Sequence, residues 1–142
     1  MKKTALTFLT ALLLASALAG CSSSSSASED LFRFKNSYIG DHNAVIGILR
    51  QLPGGGQMKQ LALQTNTKPY GLTAQYKEDI NNEKSTSMRN AAYVFTLVQN
   101  AEQATFQFPN ETFTYTKQQI EKQLGKDLKE IKKEEELKKL LK

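Results

Sequence analysis

The sequence predicts a small α+β domain, a three- or four-stranded sheet packed on helices in the order α-β-β-α-β-(β)-α, behind an export segment. Three observations predict it. Apolar residues recur at three- and four-residue intervals from Val45 to Leu52 and from Met88 to Val98, the period of a helix with one buried face. The period changes to two at Leu61 and Leu63, at Tyr70, Leu72, Ala74 and Tyr76, and at Phe106 and Phe108, as in half-buried strands. Turn-forming residues sit at the junctions: Pro53 with Gly54 to Gly56, Asn66 to Pro69, and Pro109-Asn110-Glu111.

The chain opens with Lys2 and Lys3, an apolar run from Ala5 to Ala17, and the small residues Ala19-Gly20 before Cys21. That is the layout of a cleaved export signal, and the run falls short of the roughly 20 residues that a membrane span needs. Leu18-Ala19-Gly20-Cys21 resembles the lipobox of bacterial lipoproteins. The resemblance implies a signal peptide over 1–20, cleavage between Gly20 and Cys21, and a lipid anchor on Cys21 at the extracytoplasmic face of the cell membrane. Two acyl chains, at about 0.8 kcal/mol per buried CH₂, hold a protein stably where one does so only marginally. Cys21 is the single cysteine, so an intrachain disulfide is excluded. Residues 21–29 read as the lipidated cysteine and a serine-rich tether, residues 30–125 as the α+β domain, and residues 126–142 as a charged C-terminal helix. Losing Lys2 and Lys3 takes the formal net charge from +5 to +3. Such mild basicity suits a neighbour of anionic lipid or wall polymer, and export together with the lack of an arginine stripe argues against nucleic acid.

Within the domain, Leu31 to Tyr38 reads as an irregular or short helical start. Asp41 or Asn43 then caps a helix carrying Val45, Ile46, Leu49 and Leu52 inward until Pro53 and three glycines end it. This glycine run lacks the Gly-Lys-Ser/Thr of a phosphate loop and reads as a connector. The runs 58–65 and 70–76 are expected to pair as an antiparallel hairpin. Lys77 to Ser87 is polar and reads as a loop, and the most buried helix is expected from Met88 to about Asn100. Phe106 and Phe108 mark a third strand, Phe113 and Tyr115 a possible fourth. Thr116 with Gln119 forms a capping box, starting a helix that carries Ile120 and Leu124 and stops at Gly125.

Taken together, Tyr38-Ile39-Gly40-Asp41, Leu61 to Thr65 with Pro69-Tyr70-Gly71-Leu72, Asn90-Ala91-Ala92 through Asn100, and Tyr115-Thr116-Lys117 before Gly125 resemble an uncharacterised domain of low-GC Gram-positive bacteria. That family occurs in small lipoproteins and at the extracytoplasmic end of membrane zinc peptidases of the beta-lactam-sensor type. The chain has no His-Glu-x-x-His motif and one histidine, so the resemblance implies no peptidase activity here.

His42 beside Asp41 is the best acid/base candidate, since histidine titrates near neutral pH. Neighbours at a helix start seldom face each other, and no cofactor or metal set accompanies them, a structural metal wanting about four clustered ligands. Tyr38, Tyr70, Tyr76 and Tyr115 form a candidate aromatic binding surface, tyrosine combining apolar area with a polar tip. The reading that follows is a non-enzymatic extracytoplasmic binding module for a protein or peptide partner, with a role in envelope sensing or regulation. An accessory lipoprotein holding wall polymer through its lysines is the alternative, and an enzyme using Asp41 and His42 the third reading.

Overall fold

The computed structural model describes residues 30–142. The signal peptide 1–20, the cleavage point at Gly20 and Cys21, and the tether 21–29 lie outside the described residues. A 3-10 turn, Leu31–Phe34, leads to α1 (His42–Gln51), β1 (Met58–Gln64), β2 (Gly71–Tyr76) and α2 (Glu83–Leu97). Then follow β3 (Gln103–Gln107), β4 (Thr112–Thr116), α3 (Lys117–Leu124), a further 3-10 turn at Leu128–Glu130, and α4 (Glu134–Leu140). The strands form one sheet in the order β1-β2-β3-β4. The outer pairs are antiparallel and the central pair, β2 with β3, is parallel. A parallel pair needs a crossover, and α2 supplies it. The expected α+β architecture is therefore present, with the fourth strand formed.

Register gives the sheet two unlike faces. Leu63, Leu72, Ala104 and Tyr115 form one cross-strand row, and Leu61, Ala74, Phe106 and Phe113 the next. Both rows lie on the helix-covered side, where Leu72, Ala74, Ala104 and Phe106 are buried. Tyr76 extends that face and its ring stacks on Phe108 at 4.6 Å. Gly71 is required where β2 meets β3: a Cβ there would collide with the carbonyl oxygen of Gln103.

On α1 the buried stripe is Ala44, Val45, Ile48 and Leu49, continued by Leu52. Ile46, expected inside, is only half-buried, because the roughly 100° step between helical residues sets it at the stripe's edge. The Pro53–Gly56 run is a tight turn with Gly54 left-handed, leading into a 3-10 turn at Gly55–Gln57.

Two expectations are corrected. The loop expected over 77–87 ends at Asn82, and α2 begins at Glu83. Its first turn escapes the periodicity because it is polar: the Glu83 carboxylate accepts from the Ile80 N–H at 3.3 Å, an acid at the helix start where the backbone dipole favours it. Ser87 in this turn is fully buried, its hydroxyl bonded to the Lys84 carbonyl at 3.0 Å and paired with the Tyr115 hydroxyl at 3.2 Å.

Residues 126–142, expected as one charged helix, are instead a 3-10 turn, an extended link and the seven-residue α4. Three aliphatic side chains hold them down. Leu128, Ile131 and Leu137 join the main core, and the break lets all three reach it, which spacings of three and six on one straight helix would not. Asp127 caps the turn by accepting from the Lys129 N–H at 2.8 Å, and the Tyr93 hydroxyl donates to Glu134 Oε1 at 3.0 Å.

The Tyr93 bond has a pH signature. Burial, then the hydrogen bond to Glu134 and that carboxylate's charge, push the Tyr93 hydroxyl well above its ordinary value near 10. A group whose folded-state pKa is raised contributes stability that is complete below the unfolded value and lost as pH climbs past it. Stability should therefore fall above about pH 10 with a slope of up to ~1.4 kcal/mol per pH unit from this one proton, and Tyr93→Phe should flatten that slope in urea melts taken across the alkaline range.

Candidate functional site

Asp41 and His42 stand at the start of α1. The Asp41 carboxylate caps α1 by accepting from the Ala44 N–H at 3.0 Å, and His42 stands exposed as the first helical residue. Among the described residues, no group of three or more His, Cys, Asp or Glu is placed to hold a metal, and no helix is long and apolar enough to cross a membrane.

The four tyrosines are dispersed. Tyr76 is buried in the core, and burial pushes its hydroxyl up while Asn90 opposes that shift. Tyr115 is half-buried under α2, bonded to the Lys84 carbonyl at 3.0 Å and to Ser87. Tyr70 sits just before β2, its N–H donating to Glu102 Oε2 at 2.9 Å. Tyr38 alone is a strongly exposed aromatic, at 57 %. Tyr76 and Tyr70 lie at opposite ends of β2, and Tyr76 and Tyr115 both face the core side.

The second face of the sheet carries a further candidate surface. Its rows are Gln60-Gln75-Gln107-Thr112, Ala62-Thr73-Thr105-Thr114 and Gln64-Gly71-Gln103-Thr116. Not one of these twelve positions is charged. The side chains order one another: Gln75 Nε2 donates to Gln107 Oε1 at 2.8 Å, and the Thr105 and Thr114 hydroxyls meet at 3.0 Å. At the border of this face β1 is an edge strand. A register irregularity between Met58 and Gln60, with Lys59, disrupts the start of the edge, a common device against unwanted strand pairing. From Gln60 to Gln64 the strand is regular and uncharged. The other edge, β4, runs directly into α3.

At the end of the sheet where β2 and β3 begin, a cleft of about 770 Å³ is lined by Lys68, Glu102, Lys117, Glu121, Asp127 and Lys129, among others. Every carboxylate in this set is engaged with a backbone amide: Glu102 with Tyr70, Glu121 with the Leu128 N–H at 3.2 Å, Asp127 with Lys129. Lys68 pairs with Glu102 at 3.7 Å. Lys117 is half-buried, yet its ammonium has no hydrogen bond or ion pair among the described residues. Desolvation lowers its pKa, with Lys129 adding to the effect and Glu121 and Asp127 opposing it. Lys35, on the adjoining surface, donates to the carbonyls of Thr96 at 2.8 Å and Leu128 at 3.3 Å. Its pKa is also lowered, by burial first and then by Lys132 and Lys117. Lysines from positions 35 to 132 thus meet at one end of the domain, and no sequence motif marks them.

A four-stranded mixed sheet with helices on one face and an ordered polar face on the other defines a small α+β module. Residues 31–121 match the family model of a domain of unknown function, DUF4825, and the chain belongs to that family. Comparison with curated proteins and with solved structures gives no match. The matched span ends inside α3, before the C-terminal residues that complete the core.

Proposed function

We propose that this chain is a membrane-anchored extracytoplasmic lipoprotein whose domain is a non-enzymatic binding module for a protein or peptide partner in envelope sensing or regulation. Lipidation of Cys21 at the lipobox supplies the anchor in this reading, and the resemblance to a domain that also occurs at the extracytoplasmic end of sensor-type membrane peptidases suggests the setting. One observation supports the binding mode above the others: β1 is an uncharged, regular edge from Gln60 to Gln64 beside an uncharged Gln/Thr face. An extended segment can add to such an edge through main-chain hydrogen bonds, with side chains on the adjoining face setting specificity. The partner chemistry that fits is a peptide strand with small or polar side chains.

Cross-linking in intact cells tests this with native protein and Ala62→Lys, which places a charge at an exposed edge position without touching the core. The native protein should capture one membrane or secreted protein, and the variant should lose at least about tenfold of that capture, the equivalent of ~1.4 kcal/mol, at unchanged melting temperature. Equal capture by both would remove β1 as the contact.

A further inference from the structure

From Gln60 to Gln64 the edge strand β1 reads the same in both directions, Gln-Leu-Ala-Leu-Gln. Among the described residues β2 pairs with one side of it and no strand pairs with the other. Leu61 and Leu63 head the two apolar rows of the covered face, and both are only half-buried. The residues that follow them on β2 and β3, Leu72, Ala74, Ala104 and Phe106, are buried. Each row therefore stops at the edge with a leucine still partly in water.

We propose that the strand which adds to this edge is β1 of a second copy of the chain, the two running antiparallel about a two-fold axis at Ala62. The proposal rests on the reading of β1 as an open pairing edge and names its occupant. About that axis Ala62 faces Ala62, Leu61 faces Leu63 and Gln60 faces Gln64, so each residue of the run meets its own kind. Alternate residues of an edge strand point both backbone groups outward. This register pairs odd positions with odd and even with even, so the outward donors and acceptors of one copy meet those of the other. The leucines become direct cross-strand neighbours and carry both apolar rows into the second copy, while each glutamine amide can donate to and accept from its counterpart. Lys59, the one charged residue of β1, falls opposite Thr65, so no like charges meet along the strand. An interface that uses the same patch on both copies closes on itself. The result is a dimer in which two four-stranded sheets become one, with both helical layers on one side and both Gln/Thr faces on the other.

The test uses the purified full chain with single cysteines at exposed positions of β1. Facing residues have Cα atoms within about 5.5 Å, inside the disulfide range, whereas Gln60 of one copy lies about 14 Å from Gln60 of the other. Ala62→Cys should therefore cross-link to itself under copper phenanthroline at least about tenfold more than Gln60→Cys or Gln64→Cys alone. Those two variants should cross-link to each other when mixed. Mass spectrometry of the linked peptides separates these bonds from any that involve Cys21. In sedimentation the native chain should be dimeric. Ala62→Lys and Ala62→Glu should each be monomeric, because like charges then oppose across the axis, and should pair when mixed. Equal linking by all three single cysteines is random collision and overturns the dimer. A monomeric native chain whose capture of another protein is lost in Ala62→Lys also overturns it, and leaves the edge reading standing with a different strand in place. A monomeric native chain whose capture of another protein survives Ala62→Lys overturns both.

Discussion

Phe106→Ala should cost about 3–5 kcal/mol of stability, the range for removing a fully buried aromatic ring. The ring is completely buried in β3, between Ala74 on β2 and Phe113 on β4, with Tyr115 tilted against it at 6.5 Å. The neighbouring strands cannot close in on the space left, because both are fixed to β3 by their ladders, so a cavity persists and adds to the lost transfer energy. At roughly 4 °C per kcal/mol for a domain of this size, the melting temperature should drop by about 10–20 °C. Gln107→Ala, one residue on and facing the other side, should stay within about 1 kcal/mol, since it removes only a partly exposed amide bond. Urea melts of the two variants check the assignment of faces. A larger loss for Gln107 than for Phe106 would invert the register.

That pair of residues also shows why the fold was legible. Strand residues alternate strictly between two environments, so Leu72, Ala74, Phe106 and Phe113 announce the covered face, and the capping box at Thr116 and Gln119 is formed as its spacing predicts, with both reciprocal bonds present. Illegible segments were those in which a polar residue does what apolar ones usually do. Ser87 is fully buried through its bonds to Lys84 and Tyr115, and a pattern of apolar residues cannot register it. The candidate surfaces were less visible still. Four tyrosines drew attention by their chemistry, but pairing turns Tyr76 and Tyr115 inward. Threonine and glutamine at alternate positions look like an ordinary solvated face until the register aligns them in rows. The lysine cluster depends on tertiary contacts between residues about a hundred positions apart, to which no local reading has access.

Truncation after Gly125 should have the largest effect of all, although the residues it removes lie beyond the span that matches the family and look like a charged tail. Leu128, Ile131 and Leu137 are each completely buried, and single replacements of such side chains by alanine cost about 2–5 kcal/mol. Their removal together also bares the surface of α2 they cover, ends the Tyr93–Glu134 hydrogen bond, and deprives Lys35 of one of its two carbonyl acceptors. Releasing the segment does recover its ordering entropy, about 1–2 kcal/mol per backbone residue. The segment is nevertheless ordered in the native state, so its burial and bonds outweigh that term. The loss falls on a total stability of only ~5–15 kcal/mol, and two of the three leucine and isoleucine anchors would consume most of it. The truncated chain is therefore expected to lose its cooperative melt, while Leu137→Ala in the full chain keeps one at reduced temperature. Circular dichroism melts of both decide it: a truncated domain that melts cooperatively at the native temperature would mean that these side chains cover the core without stabilising it.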